Sequence, residues 1–309
     1  MKTRLFLFPG QGSQVVGMGR DFYEKSQEAR EIFTQADDLL GFSLSQLCFN
    51  GPEEELKLTS NTQPALLTVS YLAYRLLGEK PDLAAGHSLG EYSALVAAGS
   101  LSFEQALKLV ANRGKYMMEA VPPGLGTMAA IMGLDYGKIE EVLKEIKSGL
   151  VQIANWNSDE QIVIAGEKKA VEEAVEKLQA PRAVFLQVSG PFHTNLMAPA
   201  AEKLKVDLDL VTIRDPEFPV ISNFTGKIMT TAAEVKESLA KQIVNPVRWY
   251  PSMIKAGEQG VEVVIELGPG KVLTGMLRRI SRRWPNPPAL HNIDDMASLE
   301  KFRQAQSGW

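Results

Sequence analysis

Apolar and polar positions along this chain follow two rhythms. Up to about residue 125, short wholly apolar runs alternate with segments whose apolar positions recur every three to four residues, which predicts buried strands separated by helices. The run Leu5-Phe6-Leu7-Phe8 stops at Pro9-Gly10 and reads as a strand, with Gln11-Gly12-Ser13-Gln14 in the loop after it. Helical spacing covers residues 21–40 and 64–77, the second with Leu66, Val69, Leu72, Ala73 and Leu76 on one face. Residues 83–85 predict a second strand and 91–98 a helix. Ser102 is a plausible N-cap for a helix to about residue 120, with Phe103, Ala106, Leu107, Val110, Gly114 and Met117 along its buried face. Strand, loop, helix, strand and helix in this order predict an α/β fold, α/β-hydrolase-like, with a largely parallel sheet.

From Gly126 the rhythm shortens. Residues 127–133 predict a strand, 138–147 a helix, and 151–155 and 161–165 two strands joined by Asn157-Ser158-Asp159; a helix over 168–178 and a strand over 183–188 follow. This β-α-β-β-α-β order is ferredoxin-like and complete in itself. Residues 126–188 are therefore expected to form a small inserted subdomain, with 1–125 and 189–309 as the discontinuous parent, resuming near Ser189. Further on, 200–208 and 232–242 predict helices and 219–222 and 261–267 strands, the last running into Gly268-Pro269-Gly270. A helix over 271–283 is stopped by Pro285, Pro287 and Pro288, and beyond Asn286 no pattern stands out.

Composition narrows the chemistry. Hydrophobic residues at 45% and charged residues at 23% are ordinary for a globular chain of 309 residues, which exceeds the usual single-domain length. A net charge of −4, with acidic and basic residues interspersed, gives no general attraction for nucleic acid. Cys48 is the only cysteine, which excludes an internal disulfide and a cysteine-based zinc site and fits a reducing cytoplasm. The apolar run behind Met1–Arg4 is too short for a signal peptide, and none reaches membrane-spanning length.

The most informative local feature is Gly86-His87-Ser88-Leu89-Gly90, a G-x-S-x-G element between the short strand and a helix. A serine on such a turn is lifted from its own backbone and sits over a helix N-terminus, so Ser88 is the expected nucleophile. A β-carbon at either glycine would crowd the neighbouring strand and helix. The hydroxyl needs a base, and the chain has three histidines. His87 is beside Ser88, but successive side chains on a sharp turn point apart, which favours a structural role. His193 follows Gly190-Pro191-Phe192 at the junction of the inserted segment, and His291 lies in the proline-rich tail. His193 is the favoured base, with a loop-capping role as its simpler alternative. Arg113 falls at the edge of the apolar face of the 102–120 helix, partly withdrawn from water, where its planar fork suits a carboxylate, either a structural partner or part of a substrate.

These residues, together with Phe8-Pro9-Gly10-Gln11-Gly12-Ser13-Gln14, Thr62-Gln63-Pro64-Ala65, Pro191-Phe192-His193, Asn245-Pro246-Val247 and Glu266-Leu267-Gly268-Pro269-Gly270, resemble the landmarks of the malonyl-CoA:acyl carrier protein transacylases, in that family's order. The resemblance implies a ping-pong acyl transfer from malonyl-CoA to acyl carrier protein for fatty acid synthesis, with coenzyme A entering as a substrate thioester and no cofactor or metal. It makes Ser88 the acylated residue, His193 its base and Arg113 the holder of the malonyl carboxylate. It also implies an oxyanion hole from the N–H groups of Gln11 and Leu89, Gln63 lining the site, and the main-chain carbonyl of Asn245 orienting the histidine. Phe192 resembles the pattern of malonyl-selective relatives, or is a core residue anchoring its loop. A monomer is implied as well.

Two other readings remain open at this level. A serine esterase or thioesterase would use Ser88, an acid such as Asp215 or Asp294, and His291. A catalytically silent carrier-binding module would use none of them. The cluster Arg278, Arg279, Arg282 and Arg283 is either favourable charge at a helix C-terminus or a docking patch for an acidic carrier.

Overall fold

The computed structural model describes residues 2–188 and 190–306. Its strands are β1 (Arg4–Phe8), β2 (Leu83–Gly86), β3 (Gly126–Met132), β4 (Val151–Trp156), β5 (Gln161–Glu167), β6 (Arg182–Phe185), β7 (Val220–Ile221), β8 (Ile228–Met229), β9 (Val263–Leu267) and β10 (Ala289–Ile293). They form two sheets. The larger has the order β10-β9-β1-β2-β7-β8 and is parallel except for the last pair. The smaller is antiparallel, in the order β4-β5-β3-β6.

β1 shows why its sequence is apolar without alternation. Phe6 and Phe8 join the main core on one face, while Leu5 and Leu7 join a second core with Trp249 and Leu277 on the other. A parallel strand covered by helices on both sides buries every side chain. In the small sheet one face packs on the helices Tyr136–Lys144 and Lys168–Leu178 through Ile131, Ile139, Ile164 and Val171. Its other face, through Met128, Ala130 and Val163, is continuous with the main core. The strands that open and close this segment, β3 and β6, pair with each other, so the chain enters and leaves the small sheet on neighbouring strands. Ser189, where the parent was expected to resume, lies outside the described residues.

Several expected elements differ. The 21–40 helix is two helices, Arg20–Lys25 and Gln27–Leu40, because Ser26 is extended and its side chain accepts from the Ala29 N–H, capping the second. The helix expected to begin at Pro64 begins earlier, as Thr59–Leu77, with the proline inside. The tail beyond Asn286 contains β10 and the helix Met296–Gln306, and the helix Trp249–Glu258 was also not foreseen. The predicted capping of Phe103–Glu119 by Ser102 is present as a full capping box with Gln105. Among the described residues no helix is long and apolar enough to cross a membrane.

Candidate active site

Ser88 stands on the turn between β2 and the helix Gly90–Ala97, with φ at 51°, a left-handed conformation that a non-glycine residue adopts only when its surroundings impose it. The surroundings are the two glycines. A β-carbon on Gly86 would lie 1.9 Å from the carbonyl of Gly90, and one on Gly90 would lie 2.0 Å from the Phe8 carbonyl oxygen, so strand, turn and helix close only with neither present. Asn223 secures the turn from inside: its Oδ1 accepts from the Ser88 N–H at 2.6 Å and its Nδ2 donates to the Gly86 carbonyl at 2.7 Å.

The imidazole beside Ser88 arrives from 105 residues away. His193 Nε2 is 2.8 Å from Ser88 Oγ, and Nδ1 is 2.9 Å from the main-chain carbonyl of Gln242. A carbonyl only accepts, so Nδ1 carries the proton and Nε2 is the acceptor facing the hydroxyl. His193 also has positive φ, 59°, in the buried loop after β6. Burial, reinforced by the charge of Arg113, lowers its pKa to about 3, so the imidazole is neutral at physiological pH.

The principal carbonyl on His193 Nδ1 is that of Gln242, with the Asn245 main chain as a second, weaker partner. Gln242 is the last residue of the helix Ala232–Gln242, where carbonyls lack an intrahelical partner. Asn245 donates its own N–H to that same carbonyl at 3.3 Å and is the lesser influence on His193. The family resemblance pointed to Asn245; the carbonyl nearest His193 Nδ1 lies three residues earlier, at the helix end.

Arg113, expected at a stripe edge, is 1% exposed. Its Nη1 donates to Gln63 Oε1 at 2.8 Å, and its Nη2 donates to Gln242 Oε1 at 2.9 Å and to Ser88 Oγ at 3.1 Å. The Tyr92 ring lies 5.5 Å from its Cζ. All three hydrogen-bond acceptors are neutral. Burial lowers its proton affinity from a very high ordinary value, and the nearest opposing carboxylate, Glu91, counters that through space.

Gln11, Gln63, Ser88, Leu89, Arg113, Phe192 and His193 line one cleft of about 180 Å³ between the two sheets, closed on the far side by Met128, Val163, Leu186 and Val188. The Gln11 and Leu89 N–H groups have no hydrogen-bond partner among the described residues. Phe192 is buried and also faces the cleft. His87 bonds Asn157 across the two sheets, Nε2 to Oδ1 at 2.9 Å, and its ring lies 5.4 Å from that of Trp249. It ties the sheets together beside Ser88.

The hydrolase arrangement does not assemble. His291 lies on β10, separated from β2 by β9 and β1, with its ring edge-on to Phe302. Asp215 accepts the Ala232 N–H, and neither it nor Asp294 lines the cleft. Of the arginine cluster, Arg283 is spent on Asp159, and Arg278 and Arg279 occupy the last turn of Val272–Ile280. Among the described residues no group of His, Cys, Asp or Glu could hold a metal ion.

Residues 5–307 match the family described as acyl transferase domain. The malonyl CoA-acyl carrier protein transacylase of Bacillus subtilis strain 168 is 51% identical over 291 residues, covering 92% of each chain. The acyl carrier protein S-malonyltransferase structure from Vibrio cholerae superposes with a TM-score of 0.93 at 42% identity, covering 97% of this chain and 99% of that one. A malonyl-transacylase solved in complex with its type II PKS acyl-carrier protein gives 0.93 at 44% identity, with 98% and 99% covered.

Proposed function

Since the chain belongs to the acyl transferase domain family, we propose that it moves a malonyl group from the coenzyme A thioester to the pantetheine thiol of acyl carrier protein, supplying extender units for fatty acid synthesis. Both substrates stand in the names of its relatives. The observation that carries the reading is a single hydroxyl held between an acceptor and a cation: Ser88 Oγ is 2.8 Å from His193 Nε2 and 3.1 Å from Arg113 Nη2.

The malonyl carboxylate binds the outward face of Arg113. A guanidinium has two N–H bonds on each Nη, and the inner pair is spent on Gln63 and Gln242. A bidentate carboxylate then takes the free Nη1 hydrogen and the Nη2 hydrogen now on Ser88, releasing the hydroxyl lone pair for attack. Ser88 Oγ adds to the thioester carbonyl while its proton passes to His193 Nε2. The carbonyl oxygen, now an anion, enters the space before the Gln11 and Leu89 N–H groups. Collapse breaks the C–S bond, and the coenzyme A sulfur leaves with the proton from Nε2. In the second half the carrier thiol gives its proton to Nε2, attacks the malonyl-serine ester, and the proton returns to Ser88 Oγ.

Transfer must outrun hydrolysis. The small cleft, the apolar far wall and an acyl group pinned at its distal end all limit attack by water. The reading includes a monomer that uses no cofactor and acts in the cytoplasm, which the single, buried Cys48 supports.

Intact-mass measurement after mixing with malonyl-, acetyl- or methylmalonyl-CoA tests this. The expected result is one malonyl adduct, absent in Ser88→Ala and discharged by carrier bearing pantetheine. Thioester turnover to free malonate without discharge to the carrier would mean a hydrolase, and no adduct at all would mean a silent binding module.

A further inference from the structure

The guanidinium of Arg113 is fully buried yet touches no carboxylate, and the reason lies one layer behind it. Gln242 presents its two amide ends in opposite directions. Its Nε2 donates to Glu91 Oε2 at 2.8 Å and to the Ser88 carbonyl at 3.0 Å, while its Oε1 accepts from Arg113 Nη2 at 2.9 Å. Glu91 is itself wholly buried, and its remaining contacts come from the Asn223 N–H at 2.9 Å and Ser238 Oγ at 2.7 Å. The carboxylate is satisfied by donors alone, so only the NH₂ end of Gln242 can face it. The carbonyl end is thereby committed to Arg113.

We propose that Glu91 and Gln242 form a polar relay that aims Arg113 at the carboxylate of the incoming acyl group, making Glu91 a positioning residue for malonyl selectivity; this rests on the transacylase reading above. A carboxylate in direct contact with Arg113 would occupy the fork that the substrate needs. An amide spacer holds the guanidinium in place, keeps a negative charge at one remove, and leaves the outward N–H groups for the ligand. Gln63 performs the matching task on Nη1, with its Nε2 on the Met117 sulfur at 3.5 Å. The relay also reaches His193, since the same Gln242 supplies the main-chain carbonyl on Nδ1. One residue therefore sets both the base, through its backbone, and the cation, through its side chain.

What the relay needs from position 91 is an acceptor toward Gln242 rather than a charge. In Glu91→Gln the amide oxygen can keep the Oε2 place. Its NH₂ can donate to Ser238 Oγ, whose own proton turns to Ser222 Oγ, 2.6 Å away and free to act as either donor or acceptor. Glu91→Leu offers no acceptor, so the NH₂ end of Gln242 keeps only the Ser88 carbonyl and its hold on Arg113 loosens.

The test compares malonyl-CoA and acetyl-CoA loading in the full-length chain by rapid quench and intact mass. Glu91→Leu should lower the malonyl-to-acetyl ratio of kcat/KM at least tenfold, chiefly by raising KM for malonyl-CoA, and Glu91→Gln should hold that ratio within about threefold of wild type. Should Glu91→Leu fail to fold, Gln242→Met carries the test, because it deletes the amide and keeps the main-chain carbonyl on His193. The same selective loss is then expected, and Glu91→Gln combined with Gln242→Met should be no worse than Gln242→Met alone. Equal loss for both acyl groups would overturn the proposal in favour of general support of the turn. Equal damage from the Gln and Leu variants would overturn it in favour of the charge itself. Failure of the transacylase reading is separable, since wild-type protein would then form no malonyl-serine or lose it to water without discharge to the carrier.

Discussion

The two walls of the cleft are built on opposite principles. On the large-sheet side, Ser88, Arg113, Gln63 and Gln242 fix one another by hydrogen bonds of 2.8–3.1 Å, and each is held by elements far apart in the chain. On the small-sheet side, Met128, Val163, Leu186 and Val188 present apolar surface with no directional demand. The first wall needs particular atoms at particular places, because a buried polar group that loses its partner costs its full desolvation. Apart from Asn157 and its bond to His87, the second asks mainly for shape and dryness. The polar wall should therefore be intolerant of change and the apolar wall adjustable.

Substitutions can break this contrast in order of severity. Ser88→Ala should remove acyl transfer altogether, by on the order of 10⁴-fold or more, with the fold intact by circular dichroism; residual adduct formation would move the nucleophile elsewhere. Arg113→Ala should lower kcat/KM for malonyl-CoA by roughly tenfold to hundredfold, the worth of hydrogen bonds to a charged group, with a smaller loss for acetyl-CoA. Equal losses for the two thioesters would take the carboxylate away from Arg113.

The buried histidine sharpens the contrast through pH. With its pKa lowered to about 3, first by burial and then by Arg113, His193 stays a free base as pH falls through 6.5. kcat/KM should show no acid limb near 6.5, and Arg113→Ala should move the His193 titration upward by NMR. The unfolded chain does protonate there, so it binds more protons than the native state between about pH 6.5 and 3. Stability should fall as pH drops through that window, by up to about 1.4 kcal/mol per pH unit from this residue, as read by chemical denaturation. A limb at 6.5 that tracks His193 would contradict the buried neutral base.

The smallest effect belongs to the apolar wall. Leu186→Ala should leave acylation by malonyl-CoA within about twofold and shorten the lifetime of the malonyl-enzyme a few-fold by admitting water, measured as adduct decay without carrier. A loss of acylation as large as that of Arg113→Ala would show that the walls do not differ as described.

Much of this arrangement was legible in local sequence. The elbow could be read because two glycines on either side of a serine answer a backbone demand that no other residue meets, and the coordinates show the close approaches that make it. Ser102 and Gln105 formed the cap their spacing implied. The ferredoxin-like order was visible because turn residues punctuate its strands and its two helices carry a clear helical period. What escaped was short, or decided by neighbours. β10 has five residues at a sheet edge behind three prolines, and only its pairing with β9 makes it a strand. The 21–40 helix divides because one serine side chain competes for a backbone N–H, a contest that periodicity does not register. The family resemblance led to Asn245, and the part of Gln242 could be seen only once the helix end met the His193 ring.

Sequence alone was enough to mark Ser88, His193 and Arg113 as candidates for one site, and the structure brings their side chains together, because turn strain, chain punctuation and helical facing are properties of neighbouring residues. Which atoms meet was a tertiary matter. Gln242 and Glu91 carry no local signature, and their roles exist only where segments far apart in the chain bury their polar groups together. There hydrogen-bond direction, once chosen by a buried carboxylate, passes from group to group, and no pattern along the chain encodes it.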